Sequence, residues 1–126
     1  MVDASALVEV LLRSGRGLEL QRTLDGAGLA APDLINAEVL QALRRLASAG
    51  EISAERGQTM AARLADAPIE RLTTTGLALA IWELRDNLTA YDATYVALAR
   101  ALRRPLVTAD RSLSRAPGLG VDVISV

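Results

Sequence analysis

The chain has 126 residues, about half of them apolar, and a formal net charge of −1. That suits a single domain, residues 1–126, with a core that needs no covalent staples. Cys and His are absent and all 14 basic residues are Arg, which excludes disulfides, thiolate metal sites, Ser-His-Asp and Cys-His nucleophiles, Schiff bases and Walker lysines.

Met1-Val2-Asp3 is a very short strand candidate, and the apolar spacing that follows predicts a helix over 4–12, ended by Ser14-Gly15. Asp3 then lies at a strand-to-helix junction with Ser5 two residues on. A second helix is expected over about 18–24, stopped by Gly26 and Gly28, and Leu29-Ala30-Ala31 reads as a short buried strand before Pro32. Asp33 or Asn36 caps the next helix, with Glu38 in or near its first turn, and the helix runs to Gly50. Ser53 caps a helix over 54–65, Pro68 ends it, and residues 69–72 alternate as a strand does.

Thr75-Gly76 opens a helix carrying Ile81, Trp82 and Leu84. Thr89 is a good N-cap for the next, which holds Asp92 in its first turn and runs through Leu102. Leu106-Val107-Thr108-Ala109 is the clearest strand core, followed at once by Asp110. A short turn of helix, the breaker Pro117-Gly118 and a last strand over 121–124 complete the chain. Short apolar strands alternating with helices imply an α/β fold, a small parallel sheet covered on both faces.

With His, Cys and Lys missing, chemistry falls to Asp, Glu, Ser, Thr, Tyr and Arg, and hard oxygen donors of this kind suit Mg²⁺ or Mn²⁺. Ligands of open parallel sheets bind beyond the carboxyl ends of the strands. Asp3 and Asp110 follow strands, and Glu38 and Asp92 begin helices that reach the same edge. Four carboxylates crowded without a cation repel one another, and a divalent metal reverses that penalty. Each acid also has a plain structural reading: Asp3, Asp92 and Asp110 suit helix N-termini, Glu38 suits a first turn, and Thr108 suits any strand.

Val2-Asp3-Ala4-Ser5-Ala6, Asn36-Ala37-Glu38-Val39-Leu40, Leu88-Thr89-Ala90-Tyr91-Asp92 and Leu106-Val107-Thr108-Ala109-Asp110 together resemble the acidic motifs of PIN-domain nucleases. They are similar in particular to VapC, the toxin of VapBC toxin–antitoxin pairs, in order and over essentially the whole chain. The resemblance implies a PIN-like three-layer α/β/α sandwich. It implies a Mg²⁺- or Mn²⁺-dependent endoribonuclease that cuts RNA, often tRNA or rRNA, by metal-activated water. Asp3 and Asp92 match the principal metal-binding acids, Glu38 and Asp110 the remaining acids of the catalytic quartet, and Ser5 and Thr108 the polar positions behind them. A homodimer silenced by a cognate VapB-type antitoxin is implied as well.

Two other readings keep the same fold: a PIN nuclease of RNA maturation or decay, and a catalytically silent interaction module. A phosphoacceptor receiver also gathers acids at strand ends, but it needs a lysine that this chain does not have. Arg44, Arg45, Arg111 and Arg115 are candidate contacts to an RNA backbone or members of a solvated face. Trp82 is expected in the core or at a partner surface. Leu7, Leu11, Leu12, Leu40, Leu43 and Leu46 are expected mostly in the core, with some left to form a groove for an antitoxin helix. No secretory leader or membrane span is expected, and the expected compartment is the cytoplasm.

Overall fold

The computed structural model of the protein describes residues 1–126. In chain order the elements are α1 (Ala4–Leu12), α2 (Gly15–Leu24), β1 (Leu29–Pro32), α3 (Leu34–Ser48), α4 (Ala54–Asp66), β2 (Ile69–Leu72), a 3₁₀ turn (Thr75–Leu77), α5 (Ala78–Glu83), α6 (Ala90–Leu102), β3 (Leu106–Thr108), α7 (Arg111–Arg115) and β4 (Val123–Ser125). Five helices start where a short polar side chain accepts from a backbone N–H of the first turn: Asp3, Ser14, Ser53, Thr89 and Asp110.

Three expectations shift. Ser14 caps α2 instead of ending α1, so α2 begins at Gly15, three residues early. The start of α2 lies hard against the end of α1, and only a residue without a Cβ fits: a β-carbon on Gly17 would stand 1.9 Å from the Glu9 carbonyl oxygen. Glu38 falls in the second turn of α3, because that helix starts directly after Asp33. The last strand begins two residues late, after Gly118 and Gly120 turn the chain with positive φ.

The strands form two parallel pairs, β1 with β2 and β3 with β4. Residues 1–3 join them. The Val2 N–H donates to the Ala30 carbonyl on one side, and on the other Asp3 N–H donates to Val107 O while Val107 N–H donates to Met1 O. Val2 and Val107 are paired in parallel. The order across the sheet is therefore β2, β1, the Val2 segment, β3, β4, with every C-terminal strand end at one edge.

Helices cover both faces. On one side α1 packs against α2, α3 and α4; on the other α6 packs against α5, and α6 also touches β1 and β3. Residues Ala93 to Ala99 of α6 are all buried, so this helix is apolar nearly all round, as a central helix must be. Arg71 closes a corner of the opposite layer. Its guanidinium donates to the Leu64, Ala67 and Ile69 carbonyls and to Asn36 Oδ1, giving the Leu64 and Ala67 carbonyls a second donor beside the Ala67 and Ile69 N–H groups.

Candidate active site

At the C-terminal edge of the sheet, Asp3, Glu38, Asp92 and Asp110 line one cleft of about 400 Å³. Each is delivered by a different element: the Val2 segment, α3, the first turn of α6 and the turn after β3. Ser5, Glu9, Arg45 and Tyr95 line it too.

Asp3 is the deepest acid, 5 % exposed. Its Oδ1 accepts from the Ala6 N–H at 2.9 Å and from Ser5 Oγ at 2.8 Å, and its Oδ2 accepts from Thr108 Oγ1 at 2.5 Å. Behind it the hydroxyls are themselves fixed. The Ala109 N–H donates to Ser5 Oγ, the Asp110 N–H donates to Thr108 Oγ1, and the two hydroxyl oxygens stand 3.2 Å apart. Thr108 is fully buried. Both polar positions thus touch Asp3, and they also lash the loop carrying Asp110 to the start of α1.

The structural and functional readings of these acids turn out to be compatible. Asp3 and Asp110 do cap helices, the latter accepting from the Ser112 N–H at 2.6 Å. Asp92 accepts from Thr89 Oγ1 at 2.7 Å while its own N–H donates to that oxygen, a reciprocal cap. These bonds engage one oxygen each of Asp92 and Asp110 and both oxygens of Asp3, and all three acids line the cleft.

Glu38 is held by a residue that motif reading passed over. Tyr95, one turn after Asp92 on α6, has a ring 2 % exposed and donates its hydroxyl to Glu38 Oε2 at 2.5 Å. A tyrosine inside a packed helix needs a partner for its one polar atom, and Glu38 supplies it across the two helical layers. The three-residue spacing from Asp92 is the signal that could have found it. Glu9 is a second omission. It lies four residues from Ser5 on the same face of α1 and accepts from Ser14 Oγ.

Burial pushes the Asp3 carboxyl above its ordinary value. The bonds from Ala6, Thr108 and Ser5 oppose that shift, and the charge of Asp110 adds to it. Burial likewise raises Glu38, the Tyr95 bond opposes, and the charges of Asp92 and Asp3 raise it further. Tyr95 is raised by burial and then by the bond and charge of Glu38, so its hydroxyl stays a donor. No cation relieves this crowding. The only ion pair in the molecule joins Arg85 and Asp86 at the surface.

The donor set therefore fits a hard divalent cation: four carboxylates, oxygen only, mutually repelling and unneutralised. As the side chains stand, no three are gathered tightly enough to grip one ion. Of the candidate arginines, Arg45 reaches the cleft. Arg44 turns aside to Gln41 Oε1, and neither Arg111 nor Arg115 lines the cleft. Trp82 does not lie in the core: it is 65 % exposed on α5, with the Arg85 guanidinium 5.1 Å from the ring centre. Leu7, Leu11 and Leu43 are buried as expected, whereas Leu40 is exposed.

A family model described as the PIN domain matches residues 1–119. Among curated relatives, the chain is 41% identical over 114 residues to a Mycobacterium tuberculosis protein named Ribonuclease VapC9, covering 90% of this chain and 87% of that one. It is 40% identical over 125 residues to Ribonuclease VapC1 of the same species, covering 98% and 94%. It is 31% identical over 123 residues to Ribonuclease VapC12, covering 98% and 95%.

Proposed function

The chain belongs to the PIN-domain family, and from that premise we propose that it is a VapC-type toxin, a metal-dependent endoribonuclease. The observation that carries the reading is the single cleft lined by Asp3, Glu38, Asp92 and Asp110, four acids from four separate segments with no cation paired to any of them. The relatives' names supply the substrate class, RNA, and the toxin–antitoxin setting rests on the motif resemblance to VapC. Within that class tRNA and rRNA are the targets we favour.

Asp3, Glu38, Asp92 and Asp110 would hold Mg²⁺ or Mn²⁺, which supplies charge neutralisation and a more acidic water for phosphodiester hydrolysis. The chain's own part is orientation. Ser5 and Thr108 fix the Asp3 carboxylate from behind, Thr89 fixes Asp92, and Tyr95 binds one oxygen of Glu38, leaving Oε1 for the cleft. Hydroxyl donors hold these groups without cancelling their charge, which is the state a cation-binding carboxylate needs.

Partners follow the same reading. A VapB-type antitoxin would lay the apolar face of a helix into the groove of about 700 Å³ walled by Leu7, Val10, Leu11, Leu24 and Leu29. A homodimer is proposed from the family alone. No helix is long and apolar enough to cross a membrane. The cytoplasm is proposed as the site of action from the family alone.

The test is cleavage of total structured RNA by purified protein with Mg²⁺, Mn²⁺ or a chelator, beside Asp92→Asn purified identically. Cleavage that needs the metal and disappears in the variant is expected. Cleavage that persists in Asp92→Asn would refute the site, and a folded wild type inert towards RNA would favour a silent interaction module.

A further inference from the structure

A second hollow, of about 480 Å³, opens beside the carboxylate cleft, and the two share walls: Glu38 and Arg45 line both. The rest of its lining is Leu34, Ala37, Gln41 and Tyr91. Resting on the nuclease reading above, we propose that this hollow seats the nucleotide next to the scissile phosphate. Tyr91 stacks on its base, and Arg45 holds the backbone where it passes from one hollow into the other.

Three observations converge on this. The chain has three aromatic residues. Tyr95 is enclosed in the core and Trp82, though exposed, lines neither hollow, so Tyr91 alone offers a ring beside the acids, 61 % exposed and one residue before Asp92. A ring left in water at the mouth of a cleft is a platform on which a base of any sequence can stack.

Arg45 is the only cation lining either hollow, and it pairs with none of the five carboxylates around the cleft. An unpaired guanidinium at that junction is suited to a bidentate phosphate contact, and a chain of net charge −1 has no broad basic surface to do the same work. Gln41, steadied by the bond from Arg44 Nε at 3.1 Å, supplies an amide to the edge of the base. The hollow's volume lies in the range of small-ligand pockets, ample for one nucleoside.

The test measures binding of a fluorescein-labelled single-stranded oligoribonucleotide of mixed sequence in an Asp110→Asn background, which slows turnover without altering the hollow. Tyr91→Leu should weaken binding about 5- to 100-fold, and Tyr91→Phe should restore it to within about twofold. Arg45→Gln should flatten the dependence of log affinity on log salt by about 0.7, the mark of one lost phosphate contact on a single strand. Tyr91→Leu in the otherwise unaltered protein should change the base preference at one position flanking the cut.

Binding and cut-site preference unchanged in Tyr91→Leu would overturn the proposal, as would Tyr91→Phe failing as badly as Leu. A Tyr91→Leu protein with a changed sedimenting mass would also overturn it, by assigning the ring to a protein contact. An unaltered protein that cuts no RNA with either metal brings down the nuclease reading instead, and the Tyr91 dependence of oligonucleotide binding is still read separately.

Discussion

The two ends of the parallel sheet treat charge in opposite ways. At the N-terminal ends of β3 and β4, Arg100, Arg103 and Arg104 line a hollow of about 560 Å³. Arg100 there donates to the Leu119 carbonyl at 2.5 Å and to the Gly118 carbonyl at 2.8 Å. That cation is engaged by backbone and holds a loop down. At the C-terminal ends the carboxylates also have bonds, but from hydroxyls and N–H groups that orient them and leave their charge standing. One pole uses charge for architecture; the other keeps it for chemistry.

The largest effect that would break this contrast is at Asp3. Asp3→Asn keeps the cap acceptor yet removes the charge, and RNA cleavage should fall by about 10³-fold. The chelated protein's melting temperature at pH 7 should not fall by more than about 4 °C, because an uncompensated buried charge has gone. A variant that unfolds, or one that cleaves normally, would each contradict the assignment.

Next comes Thr108→Val, which keeps the volume but leaves Asp3 Oδ2 without its donor and the Asp110 N–H without its acceptor. Activity should drop about 10- to 100-fold, as when a metal ligand loses its supporting contact, and more Mn²⁺ should be needed for half-maximal rate. A change in stability with an unchanged metal requirement would make Thr108 a packing residue only.

Arg100→Ala should do the reverse. Losing two charge-assisted bonds to carbonyls should cost about 1.5–3 kcal/mol in denaturant unfolding, with turnover per folded molecule unchanged. If Arg100→Ala lowered turnover at full occupancy of the fold, the poles would not be independent.

The smallest effect is a pH dependence. Asp3 and Glu38 are raised above their ordinary values of 3.8 and 4.5, so the folded state holds protons there more tightly than the unfolded chain. Their contribution to stability is full below those ordinary values and is lost as pH rises through the raised ones. In chelator, the stability of wild type relative to Asp3→Asn should therefore decline from about pH 4 towards neutrality. A flat or rising difference would mean that the charge of Asp3 is not desolvated in solution.

Much of this was legible in the sequence, for physical reasons. Ser53, Thr89 and Pro68 punctuate helices by local chemistry alone, and the bounds they predict agree with the structure to a residue. The convergence of the acids followed from strand polarity, since parallel strands must end together. What stayed hidden depends on contacts between distant segments. The spacing of Tyr95 from Asp92 puts it on the site's side of α6, but nothing local says that its hydroxyl meets Glu38, 57 positions away. The start of α2 looked like the end of α1 because Ser14-Gly15 serves either role. Only the close approach at Gly17 decides which, and periodicity cannot register that approach.

The Val2 segment sets a condition on synthesis. Its partner Val107 and the hydroxyl that fixes Asp3 are made more than a hundred residues later, so the middle of the sheet is closed by almost the most distant pairing the chain offers. Loop closure of that span is slow to reward a growing chain. A copy still being translated, or one truncated before residue 106, has neither the central strand pair nor a seated Asp3. The cleft therefore comes into being only once residues 106–110 have been added.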